Sequence, residues 1–263
     1  APTFASDGLV LTGVPGGILR SVNRGDTWEI IALGAPPVTV TTFVFSPDFE
    51  KDGIVLAGTL EDGVFLSNDR GSRWAAWNFG LLDLHVLSLV ISPTFSEDET
   101  IFAGTESGIA RSTNGGRAWR DLGLDGSLPL TFAEPILSLA LSPSYAADGI
   151  VFAGTETNGL ICSCARGKSW KRIAENFIAD PVNGIVIGKN ELSQSTIAVL
   201  QSDALLVSHN GGSDWEQVEA PALDAELEND VTSWSAIAAP EGLGKGARLL
   251  VGLTNGNIRF VIL

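Results

Sequence analysis

Acidic side chains recur at comparable places along this chain. Glu61 and Asp62 lie in Leu60-Glu61-Asp62-Gly63, Glu106 in Thr105-Glu106-Ser107-Gly108, Glu156 in Thr155-Glu156-Thr157-Asn158-Gly159 and Asp203 in Ser202-Asp203. Carboxylates in series support two kinds of chemistry. A pair held apart across a cleft can serve as acid and base in glycoside hydrolysis. A cluster on one surface can attract a cation or a basic peptide. A second set is apolar: Leu128, Leu130 and Phe132 fall in the long insertion 122–135, where exposed apolar side chains would suit a partner contact.

Other reactive residue types lack the company that catalysis needs. His85 and His209 are the two histidines, and no G-x-S-x-G elbow accompanies either. The single tyrosine, Tyr145, stands in Ser142-Pro143-Ser144-Tyr145 where other copies of the same stretch have Phe49 and Phe95, so it reads as a core aromatic. Arg20 and Arg111 occupy equivalent places in a repeat rather than converging from different loops. Cys162 and Cys164 form one C-x-C, which without a second ligand pair argues for ordinary thiols, and no metal is expected. No Gly-rich phosphate loop precedes a helical pattern, and no cofactor is expected.

Charge narrows the partners. With 31 acids against 16 bases the net charge is −15, and 214–230 carries seven acids and no Lys or Arg. A phosphate backbone would be repelled, so nucleic acid is not expected. No stretch approaches the roughly 18 apolar residues of a membrane span, and no charged-then-apolar leader opens the chain. The absence of Met implies a trimmed amino terminus or membership of a longer protein.

The elements that position these residues announce themselves by repetition. Ser21-x-Asn23-x-Gly25-x-x-Trp28 is followed by Ser67-x-Asp69-x-Gly71-x-x-Trp74, Ser112-x-Asn114-x-Gly116-x-x-Trp119, Ser163-x-Ala165-x-Gly167-x-x-Trp170 and Ser208-x-Asn210-x-Gly212-x-x-Trp215. The tryptophans are 46, 45, 51 and 45 residues apart, a period that signals an array of one supersecondary unit. Upstream of the phrase lie short runs such as Ile54-Val55-Leu56-Ala57-Gly58-Thr59, and further upstream runs ending in Ser-Pro, such as Phe43-Val44-Phe45-Ser46-Pro47. These are rich in Val, Ile, Leu and Phe and bounded by Gly, Pro, Asp or Ser, which is the strand signature.

Each unit therefore reads as four antiparallel strands, A to D, with the phrase between C and D. That is the blade of a β-propeller. The fold class is all-β, a single propeller domain over 1–263, with blades near 1–31, 38–78, 85–123, 135–175, 182–219 and 231–263. Strands B and C occur six times and strand A five times, so six blades with ragged ends at the ring closure are expected, with five as the alternative. Thr42, Ser88, Ser138, Gly184 and Ser235 share one position of strand A, all small, as crowding near a propeller axis requires. Trp77 and Trp234 lie outside the phrase and read as core, with sugar stacking as the alternative.

The phrase resembles the Asp-box, or BNR repeat, of sialidase-like propellers, and the resemblance covers nearly the whole chain. It implies a C–D turn in which the Asp or Asn side chain bonds its own backbone, the glycine supplies a positive φ and the tryptophan packs between sheets. Ala165 departs from the pattern and implies a looser turn or one held by other groups. Members of this superfamily include sialidases, xyloglucan hydrolases, sortilin-type receptors and photosystem II assembly factors. A sialidase needs an arginine triad and a tyrosine nucleophile, which this chain does not assemble.

The B–C loops should share the propeller face opposite the phrase. Glu61, Asp62, Glu106, Glu156 and Asp203 would then form an acidic funnel for a basic protein segment or a cation. The expected function is a non-enzymatic interaction scaffold or assembly component with another protein as partner, within a larger assembly. A carbohydrate-binding or glycoside-hydrolase-like propeller is the alternative.

Overall fold

A computed structural model describes residues 1–34, 38–122, 134–178, 181–188, 195–218, 233–244 and 246–263. The insertion carrying Leu128, Leu130 and Phe132 lies outside the described residues. The chain divides into two compact units, Ala1–Ile136 and Leu137–Leu263.

The first unit holds three antiparallel sheets. The first has the order β1 (Val10–Val14), β2 (Gly17–Ser21), β3 (Glu29–Ala32). The second is β4 (Val40–Phe45), β5 (Val55–Thr59), β6 (Val64–Ser67), β7 (Ala75–Ala76). The third is β8 (Val86–Ile91), β9 (Ile101–Thr105), β10 (Gly108–Ser112), β11 (Arg120–Asp121).

The second unit repeats the plan. Its sheets are β12 (Ile136–Leu141, starting on the last residue of the first unit), β13 (Val151–Thr155), β14 (Leu160–Ser163), β15 (Lys171–Arg172); then β16 (Gly184–Ile187), β17 (Ile197–Leu200), β18 (Leu205–Ser208), β19 (Glu216–Val218). The last is β20 (Trp234–Ala238), β21 (Arg248–Leu253), β22 (Ile258–Ile262). Strand order follows chain order in every sheet, as in a propeller blade. Among the described residues the A, B, C and D strands number five, six, six and five, so six blades fit and five do not. The first sheet lacks A and the last lacks D.

One turn of helix follows the proline in four copies: α1 (Phe4–Asp7) after Ala1-Pro2, and α2 (Phe49–Asp52), α3 (Phe95–Asp98) and α4 (Tyr145–Asp148) after Ser-Pro. The closing aspartate explains it. Asp52 accepts the Ser46 hydroxyl at 2.6 Å and the Ile54 N–H at 2.9 Å, and Asp98 and Asp148 repeat both bonds. The aromatic at the start of the turn is buried in α2, α3 and α4, so Tyr145 is a core residue like Phe49 and Phe95.

The repeated Ala-Gly-Thr of strand B has two jobs. The Thr59, Thr105 and Thr155 hydroxyls, all buried, donate to the carbonyls of Gly63, Gly108 and Gly159 and so close the B–C turn. The glycine lets consecutive blades approach. A Cβ on Gly104 would lie 2.4 Å from the Ser88 hydroxyl and 2.8 Å from the Ile136 carbonyl oxygen, and a Cβ on Gly154 would lie 2.3 Å from the Ser138 hydroxyl.

Ser88 and Ser138 are more than small. Each hydroxyl donates at 3.0 Å to the carbonyl of the next A strand, at Ile136 and Val182 respectively. In β4 this bond comes instead from Thr41, whose hydroxyl reaches the Val86 carbonyl at 2.6 Å. Thr42 itself does not make it.

Candidate functional site

The phrase turns are built from their own side chains. The Ser67 hydroxyl accepts the Gly71 N–H at 2.9 Å and donates to Asp69 Oδ1, which also accepts the Arg73 N–H at 2.8 Å. Ser21 with Asn23 and Gly25, Ser112 with Asn114 and Gly116, and Ser208 with Asn210 and Gly212 repeat this arrangement. Burial opposes ionisation of Asp69, but its hydrogen bonds from Arg73 and Ser67 prevail and hold it down at about 2. In the fourth copy Ala165 has no acceptor to offer. The Ser163 hydroxyl still takes the Gly167 N–H at 2.9 Å and the Ala165 N–H at 3.2 Å, so that turn is held by its serine.

The tryptophans differ in burial. Trp119 and Trp215 are buried and Trp74 and Trp170 half-buried, but Trp28 is 42 % exposed, against the expectation of packing between sheets. Trp119 donates Nε1–H to the Trp77 carbonyl of the preceding sheet at 2.7 Å, whereas Trp74, Trp170 and Trp215 donate to the glycine carbonyl of their own turn. Trp77 packs half-buried against the core around Trp119, and Trp234 is buried in the core of the last two sheets.

Arg20 lies along β2 and acts structurally: Nε donates to the Arg70 carbonyl at 3.0 Å and Nη1 meets Glu29 at 2.5 Å. His209 is exposed, with Thr196 Oγ1 at 3.2 Å from Nδ1 and Glu216 at 3.4 Å from Nε2. The two cysteines are not a same-face strand pair. Cys162 is buried on β14, whereas Cys164 lies past the strand's end and is exposed. Burial, with the neighbouring Cys164, pushes the Cys162 thiol up to about 12. Among the described residues no group of His, Cys, Asp and Glu could hold a metal ion.

On the B–C side of the first unit, four loop residues converge. Asp83 accepts the His85 N–H at 2.9 Å, the Ser107 N–H at 2.8 Å and the Ser107 hydroxyl at 2.7 Å, and its Oδ1 lies 3.0 Å from His85 Nδ1. Glu106 N–H donates to the His85 carbonyl at 3.1 Å, which fastens the β9–β10 turn to this segment. Burial opposes ionisation of Asp83, yet the bonds from His85 and Ser107 hold it down at about 2. The His85 pKa is raised, first by its bond to Asp83 and then by the charges of Glu106, Asp83 and Glu61. The serine bonds the aspartate rather than the histidine, so the three do not form a nucleophile–base pair.

Gly63 N–H donates to the Leu84 carbonyl at 2.9 Å, so the turns that carry Glu61 and Glu106 are both tied to the 83–85 segment, which brings Glu61 and Glu106 to one place. Both are exposed, and Asp62 is half-buried, its N–H donated to the Thr59 hydroxyl at 3.1 Å. Glu156 and Asp203 stand exposed in the β13–β14 and β17–β18 turns of the second unit, and no described group gathers them. Leu82 and Leu84, which sequence reasoning missed, flank Asp83 at 66 % and 36 % exposure. Alternation along a strand does not reach an irregular loop, so the sequence carried no signal of their exposure. In the second unit a cavity of about 460 Å³ is lined by Glu175, Asn176, Phe177, Asp214 and Trp215, among others.

The sheets and their order define a β-propeller with blades of three or four antiparallel strands. No family model matches the sequence. No curated protein matches it. Solved structures do share the fold. The extracellular domain of BT4673 from B. thetaiotaomicron is similar over 96 % of this chain at 18 % identity and a TM-score of 0.67, with 31 % of that chain covered. The GH74 xyloglucanase from Xanthomonas campestris is similar over 93 % of this chain and 40 % of its own, at 16 % identity and a TM-score of 0.64. YCF48 bound to D1 peptide is similar over 94 % and 72 %, at 15 % identity and a TM-score of 0.58. The chain spans about a third of the length of BT4673's extracellular domain. Identities this low establish the fold and leave the role to the site.

Proposed function

We propose that this chain is a non-enzymatic protein-binding propeller whose acidic B–C loops, at Glu61 and Glu106, receive a basic segment of a partner protein. One observation carries the proposal. The turns that carry Glu61 and Glu106, from two separate blades, bond the adjacent carbonyls of Leu84 and His85, Gly63 N–H at 2.9 Å and Glu106 N–H at 3.1 Å. Charges placed there favour the protonated form of His85, as they would a Lys or Arg beside it. Exposed Leu82 and Leu84 add apolar area beside it, so the fitting ligand is a peptide with a Lys or Arg next to an aliphatic side chain. YCF48, a propeller of similar fold, binds a peptide, which supports a peptide as the ligand class here. The repeated phrase is read as an Asp-box with a structural role, because its polar atoms are occupied within its own turns.

The test is fluorescence anisotropy with a labelled Lys/Leu-rich peptide and an acidic peptide of equal length. Binding of the basic peptide that weakens with salt, and weakens about tenfold or more in Glu61→Gln/Glu106→Gln, is expected for a charge-steered site. Equal affinity for both peptides, or no effect of the double substitution, defeats the proposal.

A carbohydrate reading rests on the 460 Å³ cavity, where Phe177, 59 % exposed, stands with Glu175 and Asp214. Hydrolysis or binding in a panel of β-glucans and xyloglucan oligosaccharides, lost in Phe177→Ala, would favour it over the peptide reading.

A further inference from the structure

The imidazole of His85 is not required by the repeat that contains it. Thr39, His85, Pro135 and Ser233 stand immediately before the A strands β4, β8, β12 and β20. Where this place has a structural duty, the backbone performs it. The carbonyls of Thr39, His85 and Ser233 accept the N–H of Leu60, Glu106 and Thr254 at 2.9, 3.1 and 3.0 Å. A threonine or a serine makes that bond as well as a histidine does. The His85 side chain is also 44 % exposed, so packing does not explain it either.

Asp83 fixes the hydrogen on that ring. Its Oδ1 accepts the His85 N–H at 2.9 Å and lies 3.0 Å from His85 Nδ1. Its Oδ2 accepts the Ser107 N–H at 2.8 Å and the Ser107 hydroxyl at 2.7 Å. Donors therefore occupy both oxygens, and Asp83 is an ionised carboxylate that can only accept. Nδ1 must carry the hydrogen of its contact with Asp83, whether the ring is charged or neutral. In the neutral ring Nε2 is left as a lone-pair acceptor, and in the charged ring it is a donor. Among the described residues Nε2 makes no hydrogen bond or ion pair.

The groups around the ring decide what Nε2 can meet. Asp83 lies on its own segment, Glu61 stands beside Asp62 in the β5–β6 turn, and Glu106 stands in the β9–β10 turn. Both turns are bonded to the 84–85 backbone. A protonated His85 is the protein's own cation among these acids. It repels an incoming ammonium or guanidinium and meets it donor to donor. A neutral His85 leaves the site more negative and offers an acceptor. We propose, resting on the acidic-loop site argued above, that neutral His85 accepts a hydrogen bond at Nε2 from a Lys or Arg of the bound segment, and that protonation of His85 weakens binding. Binding then tightens as pH rises through the His85 midpoint. That midpoint is raised, first by the bond to Asp83 and then by the charges of Glu106, Asp83 and Glu61. Ordinary carboxylates titrate below this range, and Lys and Arg above it.

Fluorescence anisotropy of a labelled Lys/Leu-rich peptide, from about pH 6 to about pH 9, tests this on the full chain. The unmodified protein should bind about tenfold or more tightly at the upper end, because a like charge beside the ligand cation has gone. His85→Gln should bind with an affinity that does not change over the range. His209→Gln should keep the full pH dependence. A second measurement needs no variant. By linkage, saturating peptide should lower the ring-carbon NMR midpoint of His85 by about one pH unit, the counterpart of a tenfold change in affinity. Three results overturn the role of His85 while leaving the acidic-loop site standing. They are an affinity that is flat with pH in the unmodified protein, an unchanged pH dependence in His85→Gln, and a midpoint that the peptide leaves in place or raises. No binding of the peptide at any pH overturns both.

Discussion

The guanidinium of Arg70 lies 5.4 Å over the ring of Phe49 and donates to the Glu50 carbonyl at 2.8 Å, clasping a C–D turn to the one-turn helix of its own blade. The Arg70 N–H completes the clasp at the Gly53 carbonyl, 3.1 Å away. Arg24 over Phe4 and Arg166 over Tyr145 repeat it, at 5.8 and 5.3 Å. All three arginines hold positive φ, near 60°, and the third and fifth copies place Gly115 and Gly211 at this position instead. Two opposing effects meet at one residue. The side chain contributes cation–π and hydrogen-bond energy, while the left-handed backbone costs about 1 kcal/mol for any residue but glycine. Arg70→Ala should therefore destabilise the protein by about 1–2 kcal/mol, because the strain stays and the clasp goes. Arg70→Gly should be milder by about 1 kcal/mol. Urea unfolding of both variants checks the order, and an Arg70→Gly variant weaker than Arg70→Ala would contradict it.

Ala165 offers the opposite experiment. In four turns an Asn or Asp side chain accepts the N–H four residues on, as Asn114 does from Ala118 at 2.9 Å. At the fourth turn the equivalent N–H belongs to Ser169, and Ala165 supplies no acceptor. Ala165→Asn should add that bond, and also one from the Ser163 hydroxyl, and stabilise by about 0.5–1.5 kcal/mol. A thermal shift upward is the expected result. No change, or a loss, would mean that the Ser163 bonds already satisfy the turn.

Gly104 is held by its neighbours rather than by its dihedrals. An added Cβ meets the Ser88 hydroxyl and the Ile136 backbone below 3.0 Å. Gly104→Ala should cost about 1–3 kcal/mol by pressing on Ser88 and Ile136, and Ser88→Ala should not rescue it fully because the backbone clash remains. Chemical denaturation of the two single variants and the pair gives the coupling directly.

How far the fold could be read in advance depends on what was local. The turn chemistry of Ser67, Asp69 and Gly71 and the strand runs around it are written in contiguous residues, and the blades follow from their period. The Ser88–Ile136 bond is not local. It spans 48 residues and depends on close approach of two strands, so the sequence showed only that position 88 is small. The Arg70–Phe49 clasp was hidden in a variable position of the phrase. At the site, the acids were legible as recurrent loop residues. Their convergence on His85 was not, because Asp83 and Ser107 are tied by loop hydrogen bonds across 24 residues.

The two cysteines should separate by reactivity. Thiolate is the reactive form, and burial pushes the Cys162 thiol up to about 12 while Cys164 is exposed. A maleimide should label one site on the native protein at neutral pH, and peptide mapping should place it at Cys164. Two equivalents bound without denaturant would show that β14 opens locally.

His85 and Asp83 give the sharpest solution test, since the chain has only two histidines. The raised pKa of His85 means that the folded protein favours the imidazolium, first through the bond to Asp83 and then through the charges of Glu106, Asp83 and Glu61. The sign follows from linkage. The stabilisation is fully present below the ordinary histidine value of about 6.5 and is lost as pH rises through the higher folded value. Asp83 works in the opposite direction, its contribution present above the ordinary carboxylate range and lost only as pH falls through about 2. Ring-carbon NMR of His85 should therefore titrate with a midpoint above 6.5, and Asp83→Asn should return it most of the way. Glu61→Gln/Glu106→Gln should lower it by less, and by an amount that shrinks with added salt, because those carboxylates act only through charge. A midpoint at or below 6.5 in the unmodified protein would remove the attraction for positive charge on which binding of a basic segment depends.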